Sequence, residues 1–153
     1  MKRTSIHMND DLGKTRCPIC DLQYLAALPE ERRLHNKRCK HIKKINKELG
    51  TPLLLLHERE ELKREARRIL ESSTDPQERL DAQKTIIFAH FSRSAMRYNP
   101  GRNGRKHPTL QDYIRRYPRT HIKGDLIPFY NETYGQADVV IDSMKDCCYC
   151  GEA

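Results

Sequence analysis

Cys17-Pro18-Ile19-Cys20 sets two thiols two residues apart, and after fourteen further residues His35 and Cys39 stand at i and i+4. A Cys-x2-Cys turn can hold both sulfurs on one side of a tight knuckle. Residues four apart share one face of a helix. Thiolate and imidazole are the ligands that suit tetrahedral zinc. The expected chemistry is therefore structural metal binding, with Cys17, Cys20, His35 and Cys39 around one zinc ion. The fourth position has an alternative in His41, six residues after His35. The plainer reading is a set of intracellular thiols beside a surface histidine.

The segments around these residues fit the metal reading. Leu22, Tyr24, Leu25 and Leu28 supply a small apolar patch, and Leu34 is the apolar residue beside His35. Pro29 stands at a first helical position, with Glu30 and Glu31 in the first turn, where the helix dipole favours acids. The helix is expected to run past its ligands to Leu49 and stop at Gly50, a good residue for the left-handed position after a helix. So small a finger buries little, and metal binding would supply roughly 10–16 kcal/mol of apparent folding free energy.

Cys17-x2-Cys20-Asp21-Leu22-Gln23-Tyr24, then Pro29-Glu30-Glu31, then His35-x3-Cys39, together resemble the zinc finger of the cohesion-establishment (ESCO-type) N-acetyltransferases. That finger has a CxxC, a Met-like residue and a Tyr, a Glu-Asp pair and a closing His-x3-His. This chain departs from it with Asp21 for Gly, Glu31 for Asp and Cys39 for the last His. The resemblance spans about residues 15–42 and implies a zinc finger module. It does not bring the enzyme with it. The phosphate-cradling Arg/Gln-x-x-Gly-x-Gly/Ala turn of an acetyl-CoA site does not occur in the sequence.

The chain has 153 residues, no Trp and 33% charged residues, which suits one modest core or one small domain plus a finger. No run approaches the roughly 20 apolar residues of a membrane span, so no membrane partner is expected. Met-Lys-Arg-Thr-Ser has no apolar run behind it, which argues against a secretory signal. Six Cys without such a signal point to metal and free thiols rather than disulfides. The expected location is intracellular, and nuclear if the source is eukaryotic.

Charge is unevenly spread. Residues 29–50 carry +5, residues 53–96 are neutral, residues 97–124 carry +7, and residues 125–153 carry −5. Two basic segments flanking a neutral one suggest a polyanion partner, DNA rather than RNA. The candidate contacts are Arg32, Arg33, Lys37, Arg38, Lys40 and Lys44 on the finger helix, with Arg102, Arg105, Lys106, Arg115, Arg116 and Arg119 beyond it. Gly101 and Gly104 bracket Arg102 in a loop where backbone N–H groups can approach phosphate. Tyr98, Tyr113 and Tyr117 lie among the arginines, either as base-stacking partners or as a core face.

The fold class expected is mainly α, a small ββα-like zinc finger followed by a helical domain. The divisions are a flexible 1–16, a finger with an extended basic helix over 17–50, a helical domain over 51–136 and an acidic Cys-containing tail over 137–153. Thr51-Pro52 reads as the start of a second helix, with Leu55, Leu62, Ala66, Ile69 and Leu70 as its stripe and Glu60–Arg64 as an outer ion pair. Pro76 to Tyr98 reads as a third helix, in which His90 is a satisfied boundary residue. Thr109 caps a short helix to Tyr117, and another runs to Tyr134 before Gly135. Ala137–Asp142 fits strand or helix, and Cys147 and Cys150 form a second CxxC with no following ligand pair. No nucleophile elbow, P-loop or HExxH occurs, and a non-catalytic protein is expected. The functional expectation is a nucleic-acid-binding zinc finger protein. The alternative is a zinc finger module for protein–protein interaction, an adaptor in chromatin or replication.

Overall fold

The helix signals of the sequence mostly become helices at the positions they mark. The structure, a computed structural model, describes residues 13–98 and 106–137. Arg102 and Arg105 with their glycine loop, the 138–142 run, and Cys147 and Cys150 lie outside the described residues. A two-residue strand β1 (Thr15–Arg16) pairs antiparallel with β2 (Gln23–Tyr24), Thr15 opposite Tyr24. Helix α1 (Pro29–Leu49) follows and ends at Gly50 with φ 71°, the left-handed stop. The ββα-like finger is therefore present, and it starts before Cys17. Thr15 and Arg16 belong to its hairpin and not to a flexible lead.

The second helix differs from expectation. Thr51-Pro52 does not start it; helix α2 spans Leu56–Ser72. Successive side chains of an extended segment point to opposite faces. This lets Leu53 and Leu55 both enter the core, which helical i and i+2 positions would not. On α2 the inward face is Arg59, Lys63, Ala66 and Leu70, and Leu62 is turned outward. That set is also helical in period, and the aliphatic stems of Arg59 and Lys63 take the places expected for leucine. Glu60 correspondingly pairs with Lys63 at 2.9 Å rather than with Arg64.

Helix α3 (Pro76–Arg97) starts where Asp75 accepts a hydrogen bond from the Gln77 N–H at 2.8 Å. It packs chiefly on α2, as the short link between them requires. Arg79 holds that link. Its guanidinium donates to the carbonyls of Leu70 and Ser73 and pairs with Asp125 through Nε at 3.0 Å and Nη2 at 2.8 Å. Helix α4 (Leu110–Arg116) begins at Thr109, whose hydroxyl accepts from the Asp112 N–H. Two short 3-10 turns at Arg119–His121 and Gly124–Leu126 lead into α5 (Ile127–Tyr134), closed by Gly135.

One core runs through the described residues. Cys17, Cys20, Cys39, Ile42 and Ile45 join Leu53, Ala66, Leu70, Ile87, Phe91, Tyr113, Tyr117 and Tyr130 in a single cluster. Residue 50 is thus a chain boundary without being a packing boundary. Tyr113 and Tyr117 belong to this core, 2% and 0% exposed, so they are not open to stack on bases. No helix among the described residues is long and apolar enough to cross a membrane.

His90 and His107 are enclosed by this packing. The Tyr117 hydroxyl meets His90 Nδ1 at 2.8 Å, and Ser94 meets His107 Nε2 at 3.2 Å. Burial, more than any neighbouring charge, holds both imidazoles down at about 4. Below the ordinary value near 6.5 the unfolded chain takes up protons that the folded chain refuses until about pH 4. Stability is thus fully present above that value and falls as pH drops through this window. Melting temperature is expected to decline steadily between pH 6.5 and 5, before most carboxylates titrate. Replacing His90 and His107 by Gln is expected to flatten the decline, and an unchanged pH slope in that variant would disprove the assignment.

Candidate metal centre

The knuckle forms because its turn satisfies its own backbone. The Cys17 N–H donates to the Leu22 carbonyl at 3.0 Å, and the Asp21 N–H donates to the Cys17 carbonyl at 2.9 Å. The Ile19 N–H points at Cys17 Sγ, 3.4 Å away. Asp21 completes the turn with φ 58°, a left-handed conformation that Gly adopts freely and that Asp tolerates better than most residues. This accounts for Gly at the matching position of the ESCO-type finger.

Across from the knuckle, α1 presents His35 and Cys39 one turn apart. The His35 ring lies flat on Tyr24 of β2, centroids 4.0 Å apart and planes 5° from parallel. The Glu31 carboxylate accepts from the Leu25 N–H and fixes the entry of the helix. The ligand atoms of Cys17, Cys20, His35 and Cys39 all lie within 4.8 Å of one another. Zinc–sulfur bonds of about 2.3 Å in a tetrahedron imply sulfurs roughly 3.8 Å apart, so only a small contraction separates this arrangement from a closed site. Cys17, Cys20 and Cys39 are buried, and the buried Nε2 of His35 has no hydrogen-bond partner. A buried imidazole nitrogen facing thiols, with no other partner, is what a metal ligand looks like.

The protons on these thiols are strained. Cys17 is held down at about 4, chiefly because Cys20 donates to it, with His35 adding to the effect. Cys20 is pushed up by the same hydrogen bond, and Cys39 is pushed up by burial. A divalent cation relieves the conflict, since all three sulfurs can then be thiolates. The residues fit zinc. Bound there, it would join the knuckle to α1 in place of a larger core. Cys39 is the residue that stands with the other three donors and would be the fourth ligand. His41 is turned elsewhere, its ring 5.2 Å from that of Tyr98.

The patch around the centre is smaller than expected. Leu22 and Tyr24 pack on the core, whereas Leu28 and Leu34 are 46% and 57% exposed. Asp21 has a role that the spacing of residues did not reveal. Its Oδ1 accepts from Arg16 at 3.1 Å, and its Oδ2 accepts from the Leu56 N–H at 2.8 Å, at the start of α2. It also offsets the charge of Arg59, a guanidinium 8% exposed that donates to the Leu54 carbonyl at 3.0 Å. The departure from Gly could have been seen in the sequence, but the distant partner could not.

The basic residues fall into separate groups. Arg32, Arg33, Lys37, Lys40 and Lys44 are exposed along α1, with Lys43 and Lys47 beside them. Arg38 is half-buried, its Nε withdrawn from solvent. Lys106 is exposed, as are Arg115 and Arg116 on α4, where Arg115 lies 3.7 Å from Asp112. Arg119 does not belong with them. Its guanidinium donates to the carbonyls of Ile114, Tyr117 and Gly135 and to Asn131 Oδ1, at 2.7–3.2 Å. These bonds fasten the end of α4 to α5 and leave the side chain committed to the fold rather than to a phosphate.

The site defines a Cys3His zinc finger. Residues 8–41 match the family described as the zinc-finger of acetyl-transferase ESCO. The match covers the finger and no catalytic domain. No curated protein and no solved structure matches the chain.

Two outcomes check this centre. Protein purified without added zinc is expected to carry one zinc per finger by elemental analysis. Cys17→Ser is expected to lose that zinc together with α1 helicity in circular dichroism, and a metal-free wild type that keeps the same helicity and stability would refute it. Asp21→Ala is expected to cost about 1 kcal/mol in denaturant unfolding, since it removes the acceptor of the exposed Leu56 N–H and a carboxylate whose charge favours buried Arg59. Asp21→Asn keeps an acceptor and the turn, and is expected to fall between Ala and wild type.

Proposed function

We propose that the chain binds nucleic acid, DNA before RNA, by laying the exposed face of α1 along the phosphate backbone. The observation that carries this reading is a 21-residue helix that keeps seven cationic side chains exposed while its other face supplies His35, Cys39, Ile42 and Ile45 to the finger and core. The helix packs into one core with the cysteines of the metal centre, and its exposed cations lie along one side of it. The sole acid beside them in the second half of the helix is Glu48, 3.9 Å from Lys44, an exposed pair of little strength. Lys106, Arg115 and Arg116 extend the positive surface from another element. Backbone contacts of this kind position a protein without reading sequence, so weak sequence preference follows.

Exposed Leu28 and Leu34 on the opening turns of α1 favour a second reading, a docking site for a protein partner. The two separate by substitution. Affinity of the zinc-loaded chain for duplex DNA is expected to fall with salt, and Lys37→Ala with Lys40→Ala is expected to lower the slope of log K against log salt by about 0.9 per lost phosphate contact. Affinity indifferent to salt would overturn the nucleic-acid reading. Leu28→Ser with Leu34→Ser should leave that affinity unchanged, and a loss there with the lysine variants unaffected would favour the protein partner.

A further inference from the structure

The acidic segment 138–153 leaves the fold at a point close to α1. The Gly135 carbonyl accepts from Arg119 at 2.7 Å, and the same guanidinium donates to the Ile114 carbonyl of α4 at 3.2 Å. Helix α4 has seven residues and is about 10 Å long. Beyond its other end the His107 ring lies 5.4 Å from Tyr98, and Tyr98 lies 5.2 Å from His41 of α1. One short helix and two ring contacts therefore separate Gly135 from α1. A chain the length of 138–153 reaches at most about 55 Å, enough to follow this path and continue along the helix.

The charges of the segment match what α1 exposes. Residues 138–153 carry the carboxylates of Asp138, Asp142, Asp146 and Glu152 against the single cation Lys145. The three aspartates recur every four residues, the spacing at which residues share one side of a helix. Arg33, Lys37, Lys40 and Lys44 recur along α1 at intervals of four, three and four, and all are exposed. A tethered segment acts at an effective concentration of about 1 mM, so a contact as weak as about 0.25 mM in isolation covers its target about four-fifths of the time. A few exposed ion pairs, each weak alone, meet so modest a requirement.

We propose that residues 138–153 dock on the exposed cationic face of α1, with Asp138, Asp142 and Asp146 against Arg33, Lys37, Lys40 and Lys44, and cover it until a nucleic acid displaces them. The competition rests on the nucleic-acid reading of that face; the docking does not. A long polyanion gains more from the same cations than the tail does, because its condensed counterions are released on binding. The tail therefore sets a threshold: short or sparsely charged anions fail to displace it, and a nucleic acid backbone succeeds.

Docking is tested by carbodiimide coupling of the zinc-loaded full chain, which joins carboxylates to amines already in contact, with mass spectrometry of the monomer. Amide cross-links from Asp138, Asp142 or Asp146 to Lys37, Lys40 or Lys44 are expected, and they should decline with added salt. Competition is tested with Asp138→Asn, Asp142→Asn and Asp146→Asn combined, checked for unchanged zinc content and helicity. This variant is expected to bind duplex DNA about fivefold more tightly than wild type at low salt, and a peptide of residues 138–153 added at about 1 mM should reverse the gain. Cross-links placed away from α1, or equal affinity where both forms bind DNA, would overturn the inference and leave the nucleic-acid reading standing. Cross-links on α1 with no DNA binding by either form would remove the nucleic-acid reading and uphold the docking. Cross-links found only between chains would give the face to a second copy and overturn the proposal.

Discussion

A buried extended segment must find partners for backbone groups that no helix or sheet supplies. Residues 53–55 face that requirement beside the core, and Leu56 follows them as the first residue of α2. Four successive N–H groups are satisfied by four side chains from four places: Leu53 by Asn46 of α1 at 2.9 Å, Leu54 by Ser92 of α3 at 3.2 Å, Leu55 by Glu58 of α2 at 2.7 Å, and Leu56 by Asp21 of the finger at 2.8 Å. The strap lets Leu53 and Leu55 fill the core and ties every neighbouring element to one short piece of chain. Loss of the acceptor for Leu53, Leu54 or Leu55 would leave a part-buried amide without a partner, which costs more than the bond contributed, whereas the Leu56 amide lies where water can replace Asp21.

Helix α1 connects this joint to the metal centre. Its first half supplies His35 and Cys39, and its second half supplies Ile42 and Ile45 to the shared core and contacts α3. A finger on a flexible tether would depend on zinc alone for its order. Here the same helix is also held by apolar burial, so metal and core reinforce one another. Asp21 makes the coupling direct. At a turn position where Gly would serve the backbone equally, the carboxylate reaches from the knuckle to α2 and offsets buried Arg59. The replacement costs some backbone freedom and gains a link between finger and helices.

Local signals were legible in the sequence. Spacing alone pointed to Cys17, Cys20 and His35, with Cys39 or His41 as the fourth, and Pro29, Gly50, Pro76, Thr109 and Gly135 marked helix ends that the structure keeps. These features act through neighbours in the chain, and their rules are short-ranged. What failed was decided at long range. Thr51-Pro52 looked like a helix start because caps are local, yet the core needed an extended Leu53–Leu55. Leu62 lost its inward place to the stems of Arg59 and Lys63, because a stripe can be rotated by what faces it. Arg119 resembled its neighbours in sequence, but four acceptors at the junction of α4 and α5 claimed it.

Charge shows the same limit most clearly. Summation along the chain placed all the positive potential on α1 and beyond residue 97, and assigned none to residues 53–96. Folding redistributes it. Glu65 of α2 pairs with Arg68 at 2.6 Å in solvent, while Lys63 and Arg67 share a cleft with Arg93, Glu71 and Lys123 from a distant segment. A stretch that is neutral in sequence can therefore bring several cationic side chains to the walls of one cleft. A field is set by which charges share a low-dielectric wall, not by which are adjacent in sequence. Lys63 and Arg67, four apart on α2, were the one local trace of this gathering, and of the two Lys63 is buried while Arg67 stays exposed.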